Sequence, residues 1–159
     1  MGRYADILAD VKGRMESIAG IGKVYDYDRW NADMAKFIEL FAYTPTGGQK
    51  QIRGWEITRT GFSEHKAGAY FRHHKFQIKG YMGLKDESGS EKVFQALIES
   101  VSDKFRAADA GANDPWQFMD GDDPGNSPVQ GGAIEVRMYG SVLCHHTALS
   151  LSVTERILP

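Results

Sequence analysis

Hydrophobic residues recur along this chain with two different periods, and the switches between them mark out its elements. Tyr4, Ile7, Leu8, Val11, Met15 and Ile18 fall at steps of three and four, which predicts an amphipathic helix over residues 3–18, closed by Gly20 and Gly22. Lys23–Tyr27 is a short β-like run. Trp30, Met34, Phe37, Ile38 and Phe41 return to helical spacing, with Asn31 placed to cap that helix. Its broad apolar stripe has to lie against something.

The period then drops to two. TPTGGQKQ (44–51) reads as a loop, and Ile52–Phe62 follows as a strand in which Gly54 marks a possible site for a bulge. Ala69–Leu84 is a longer strand. Its alternation puts His74, Phe76, Ile78 and Met82 on one face, toward a core. His73, Lys75, Gln77, Lys79 and Tyr81 fall on the other, toward water or a partner. Ser88 and Glu91 have the S-x-x-E spacing of a capping box, opening a helix whose stripe is Val93, Phe94, Leu97, Ile98, Val101 and Phe105. Residues 107–132 are rich in Gly, Asp, Asn and Pro around Trp116 and Phe118; a loop that long is usually functional or disordered, and the two aromatics imply that part of it docks. Ile134, Val136 and Met138 alternate, Gly140-Ser141 breaks the run, and Thr147–Ile157 alternates again. These are two consecutive antiparallel strands or one bent strand. The order α, β, α, β, β, α, β, β predicts a single α+β domain over 1–159, with an antiparallel or mixed sheet, helices mainly on one face, and flexible loops near 44–51 and 107–132.

Length and composition fit that picture without adding a function. A chain of 159 residues buries roughly 70% of its unfolded surface and needs no disulfide or metal to hold a core. The single cysteine, Cys144, excludes an intramolecular disulfide and suits a reducing compartment. The opening residues carry acids and no apolar stretch, so no signal peptide is expected, and Asp6 breaks the myristoylation pattern. No apolar run approaches the ~20 residues of a membrane span. Charge is distributed unevenly. Residues 50–85 hold eight Lys or Arg against Glu56 and Glu64, while residues 109–123 hold five aspartates and no base. That asymmetry describes either two solvated faces or a head-to-tail pairing of the basic face of one subunit with the acidic loop of the next.

Candidate chemistry is thin. Adjacent residues on a strand point to opposite faces, so neither His73-His74 nor His145-His146 can chelate as a pair. Cys144 and His146 share a face but supply only two of the three or four ligands zinc wants. Asp120, Asp122 and Asp123 lack the full order of a calcium loop and its bidentate Glu. No Gly-rich phosphate loop, G-x-S-x-G elbow or H-E-x-x-H motif is present. Cys144 beside His145 or His146 could serve as a nucleophile, although a half-buried strand cysteine is usually a small core residue. Arg72, Lys75 and Lys79, with His73 and Tyr81, could track a phosphate backbone, but a pI near 6.2 favours a solvated or subunit-facing surface.

Four segments carry a resemblance: IAGIGKVYDYDRW (18–30), RGWEITRT (53–60), FRHHKFQIKGYMGLKDESGSEKVFQALIESVSDKFR (71–106) and IEVRMYGSVLCHHTALSLSVTERI (134–157). Together they resemble the tail terminator, or tail completion, proteins of tailed bacteriophages. The resemblance implies a small α+β domain that assembles as a hexameric ring, caps the tail tube, stops its polymerisation and presents the docking surface for the head–tail connector. Its implied partners are copies of itself, the tail tube protein and the connector, with DNA only as cargo through the channel. Its implied place is the head-proximal end of the tail in the virion, after assembly in the host cytoplasm. No cofactor, metal or catalytic residue comes with it. Arg72, Lys75, Lys79, Trp116, Asp120, Asp122 and Asp123 are the candidate assembly-interface residues.

Two other classes compete. A cone-shaped α+β fold of the nuclear-transport-factor-like type would place an inward base in an apolar cavity, and His74 is the residue for it. A tail tube or head–tail connector subunit would share the size and fold style of a terminator.

Overall fold

Two long antiparallel ladders organise the molecule, both made by the strand Ala69–Gly83. The structure, a computed structural model, describes residues 3–106 and 115–158. In chain order the elements are α1 (Tyr4–Glu16), β1 (Lys23–Tyr25), α2 (Met34–Glu39), β2 (Ala42–Tyr43), β3 (Gln51–Ala67), β4 (Ala69–Gly83), α3 (Ser90–Lys104), β5 (Trp116–Gln117), β6 (Val129–Gly131), β7 (Glu135–Tyr139) and β8 (Val142–Ile157). β4 pairs antiparallel with β3 on one side and with β8 on the other, and the β4–β8 register runs unbroken from Tyr70 opposite Ile157 to Gly83 opposite Cys144. The far edge of β8 is shared by three short strands: β7 near its start, β6 in the middle and β5 near its end. β1 joins β3 in parallel, so the sheet is mixed. This is the α+β domain that the periodicities predict.

Alternation sorts the side chains as expected. Trp55, Ile57, Phe76, Ile78, Met82, Leu149, Leu151 and Val153 are buried on one face, beneath Ile7, Leu8, Val11 and Met15 of α1 and Phe94, Leu97 and Val101 of α3. Each such buried side chain contributes about 1.5–3 kcal/mol relative to an exposed one. Trp55 lies over Gly80, its cross-strand partner, and its indole N–H donates to the Ile21 carbonyl at 2.9 Å. α2 packs on the opposite face, where Phe41, Ile52, Tyr139 and Cys144 form a second, smaller cluster with Tyr25, Phe37 and Tyr81 around it.

Several local expectations change. The second helix begins at Met34, because Asp33 holds an extended conformation and its carboxylate accepts from the Lys36 amide; Asn31 instead accepts from the Asp33 amide. Trp30 therefore lies outside the helix. The bulge of β3 falls between Arg59 and Gly61 rather than at Gly54. Gly54 is required for a different reason, since a Cβ there would stand 2.0 Å from a Phe41 ring carbon. The capping box does not form. Asp86–Ser88 makes one 3-10 turn, Gly89 takes the N-cap position with φ +65°, and Ser88 Oγ donates to the Lys85 carbonyl. Ser90 Oγ reaches back to accept from the Lys85 amide. His73, expected at a wet face, is buried.

The described part of 107–132 is a strap rather than a free loop. Trp116 and Gln117 pair with β8, Phe118 packs edge-to-face on Phe105, and the Ser152 amide donates to the Pro128 carbonyl. Asp109 and Asp114, counted in the acidic segment, lie outside the described residues. Residues 44–50 are loop as expected.

Gly54 gives a direct test of this packing. Gly54→Ala is expected to lose about 1–3 kcal/mol through overpacking against Phe41. Gly61→Ala, where a Cβ meets nothing within 4 Å, is expected to change little. Urea denaturation midpoints of the two variants check the contrast.

Candidate assembly surface

The strand period separates residues that the sequence reading placed together. Arg72 falls on the α1–α3 face of the sheet with His74, whereas Lys75 and Lys79 fall on the opposite face. A single basic face of Arg72, Lys75 and Lys79 does not exist, because positions two apart share a face and 72 and 75 do not.

Each of these cations is matched within its own chain. Lys75 Nζ lies 3.3 Å from Asp120 Oδ1 and 3.9 Å from Asp122 Oδ2, and it donates to Ser152 Oγ at 3.1 Å. Burial alone would raise the pKa of Asp120. The amides of Asp122 and Asp123 and the Lys75 ammonium all favour its charged form and together hold it below the usual carboxylate range. Lys79 meets Asp28 at 2.9 Å and the buried Glu56 at 4.0 Å. Desolvation pushes the Glu56 carboxyl up, while the Arg29 amide and Lys79 favour its ionised form. Arg72 bridges Glu64 at 2.6 Å and Glu155 at 3.5 Å. The acidic strap and the basic strand do meet, but inside one subunit. Head-to-tail pairing through these charges is therefore not what the geometry offers.

Trp116, the remaining nominated aromatic, turns inward and donates its indole N–H to Asp10 Oδ2 at 2.9 Å. Asp123 accepts from the Gly125 amide and shapes the strap locally.

Sequence reasoning missed a buried histidine–carboxylate hydrogen bond on the α1–α3 face. His74 Nε2 lies 2.9 Å from Glu155 Oε2, His74 is fully buried, and Arg72 and Arg3 approach the same carboxylate. An ionised carboxylate only accepts, so the proton of a neutral His74 sits on Nε2. His74 Nδ1 has no partner among the described residues. Burial pulls the His74 pKa down, against the pull of Glu155 upward. No access to solvent is left for His74 to act as the base of an open cavity; Phe76 stacks against its ring. The signal that would have found this pair is register. Glu155 stands opposite Arg72, one step from His74, only once β4 and β8 are aligned.

Cys144 is fully buried, and burial pushes its thiol up to about 11, so it stays protonated at neutral pH. His146 shares its face, donates from Nδ1 to the Gly80 carbonyl and packs on Tyr81. Among the described residues no three His, Cys, Asp or Glu side chains cluster as metal ligands. A groove of about 370 Å³ lies along the strap, bordered by His65, Phe71, His73, Met119, Thr154 and Arg156. His73 bridges Thr154 Oγ1 and His65 Nδ1 there, at 3.0 Å each.

The surface also shows apolar groups that the fold leaves wet. Trp30 is 79% exposed, Met138 61%, and Tyr27, Phe62 and Val136 each 55%. No helix among the described residues is long and apolar enough to cross a membrane. Compared with known proteins, the sequence matches no family model and no curated relative.

The buried histidine fixes a pH dependence. A histidine whose folded pKa is lowered is held neutral by the fold, so its stabilising contribution is present above the ordinary histidine value near 6.5 and is lost as pH falls below it. His74→Gln keeps a donor toward Glu155 and removes the titration. Its stability is expected to fall less steeply than the wild type's between pH 7 and about 5.5. Urea midpoints measured across that range check it, and equal slopes would refute the assignment.

Proposed function

We propose that this chain is a structural virion subunit of the tail terminator type. It closes on copies of itself as a ring, six-membered by resemblance, caps the tail tube, stops its growth and offers the surface on which the head–tail connector docks. Four segments of sequence support the reading, and so does a fold that leaves large aromatics such as Trp30, Tyr27 and Phe62 exposed. The observation that carries it is Trp30, 79% exposed, with Tyr27 and Met34 close to it in sequence exposed as well. Exposed apolar area returns roughly 25 cal/mol per Å² when a partner covers it, and tryptophans at such positions are the usual anchors of protein interfaces.

Charge enters this reading differently from the sequence-based expectation. Lys75 and Lys79 are held by Asp120, Asp122, Asp28 and Glu56 of the same chain, so they brace the subunit that assembles. DNA is cargo for such a ring, passing through its channel without a dedicated site.

The test is mass and tube length together. The protein alone, or mixed with its cognate tube subunit, is expected to give closed particles of six chain masses in native mass spectrometry. Tubes polymerised in its presence are expected to stop growing and to carry a ring at one end. Twelve-fold rings would assign it to a connector, and self-made open tubes to a tube subunit; unchanged tube growth would sink the terminator reading. Lys75→Met is expected to leave association within about twofold of wild type, since its ion pairs lie within one subunit.

A further inference from the structure

Two surface patches of opposite charge and shared aromatic character stand on different parts of the molecule. The first is the outer end of the β3–β4 hairpin. Residues 62–68 are all exposed there, and residues 59–72 carry a net of +2; Arg72 is held by Glu64 and Glu155, so Arg59 and Lys66 are the cations without a carboxylate partner among the described residues. Its aromatics are interleaved with these cations. The Arg59 guanidinium lies 4.5 Å from the Tyr4 ring centre and 4.8 Å from that of Phe62, and the Lys66 ammonium lies 5.7 Å from that of Tyr70.

The second patch is the segment between β1 and α2. Asp28 is held by Lys79, and Asp26 and Asp33 outnumber Arg29 there, leaving a net of −1. Tyr27 and Trp30 stand out of it, and Arg29 stacks over Tyr25 at 4.5 Å and over Tyr27 at 5.1 Å. The segment is fixed in place, because the Arg29 amide donates to Glu56 at 2.6 Å and Asp28 holds Lys79.

The two patches cannot meet within one chain. The acidic segment is tied at Glu56, on the sheet face that carries Lys79, whereas Phe62 stands opposite His74 on the α1–α3 face. Phe62 to Lys66 lies six to ten residues farther along β3, about 20–33 Å at ~3.3 Å per residue. A self-complementary dimer would bring like patches together across a two-fold axis. Unlike patches call instead for a head-to-tail contact, which closes into a ring when the rotation allows.

We infer that the hairpin end of one subunit docks on the Tyr27–Trp30 segment of a second copy of this chain, with Phe62 and Tyr70 against Trp30 and with Arg59 and Lys66 facing Asp26 and Asp33. This rests on the ring reading above and names the surfaces that make the ring. The occupant is a second copy because opposite net charge and matched aromatic content are both supplied by the chain itself. A nucleic acid would be drawn to the hairpin and repelled by the aspartates, leaving Trp30 uncovered. Interfaces of this kind are anchored by a few aromatic and arginine side chains, with charge setting the pairing.

Two variants test it. Phe62→Ser with Lys66→Glu cripples only the hairpin end, and Trp30→Ala with Asp26→Asn cripples only the acidic segment. Apart from the part-buried Asp26 these side chains are exposed, and the thermal melts of both variants are expected to match wild type. Each variant alone is expected to associate at least about 30-fold more weakly than wild type in sedimentation equilibrium. A one-to-one mixture of the two retains one intact pair of patches and is expected to form a dimer and nothing larger. Variants that assemble like wild type, or a mixture that stays monomeric, overturn the inference. A wild-type ring with unaffected variants would leave the ring reading standing and remove only this interface; a wild-type chain that never assembles, with or without tube protein, would remove both.

Discussion

The unbroken ladder between β4 and β8 is the constraint on which the rest of the molecule depends. Fourteen residue pairs in one register, Tyr70 with Ile157 through Gly83 with Cys144, decide which side chains share a face and which meet across it. A shift by one residue would turn Leu149, Leu151 and Val153 from the core to the other face and bring Ser150, Ser152 and Thr154 beneath α1 and α3. The same register brings Glu155 to His74 and Arg72, so a buried hydrogen bond and a part-buried ion pair reinforce the alignment that the apolar residues select. Breaking one partner of such a pair leaves an uncompensated buried charge, which penalises a slipped ladder as well as a substitution. The three short strands on the far edge of β8 follow from this alignment, because each pairs with its own stretch of that one long strand.

What the sequence made legible was mostly what depends on period. The faces of β4 and the stripes of α1 and α3 follow from spacing alone and are present, and of the two readings of residues 134–157, two antiparallel strands or one bent strand, the structure has the first, β7 and β8 joined at Gly140. What depended on partners distant in sequence was not legible. Asn31 and Asp33 are equally good caps on paper, and Phe37 stacking on Tyr139 in β7 fixes where that helix runs. Ser88 and Glu91 have the spacing of a capping box, yet Ser90 is drawn to His145 at 2.8 Å and the turn before it is rebuilt around Gly89. Gly54 reads as a bulge because strands seldom contain glycine. The real reason is the Phe41 ring, which arrives from the opposite face.

The candidate surface shows the same division more sharply. Counting charges found the basic strand and the acidic segment, and they are indeed complementary. Counting could not say that the chain folds the one onto the other. Lys75 reaches Asp120 because β5 and β6 hold the strap along the edge of β8, a pairing with no local signature in a Gly- and Pro-rich stretch. Once those charges are satisfied internally, they cannot also select a neighbour. The groups left exposed are Trp30, Tyr27 and Phe62, with Arg59, which has no carboxylate partner among the described residues, lying over the Phe62 ring.

That remainder has a physical logic. On the assembly reading proposed above, a subunit that stays dispersed alone and yet joins copies of itself faces opposite demands on its surface. One large apolar patch would aggregate by itself, since like patches can always meet. Dividing the apolar surface between two sites, and giving each a different sign of charge, removes that route, because hairpin meets hairpin as positive against positive and segment meets segment as negative against negative. Only the unlike pairing gains both aromatic burial and attraction. The long β3–β4 hairpin holds one site well away from the other, so neither can be quenched by its own chain. The ladder that fixes the core thereby also fixes the reach between the two patches.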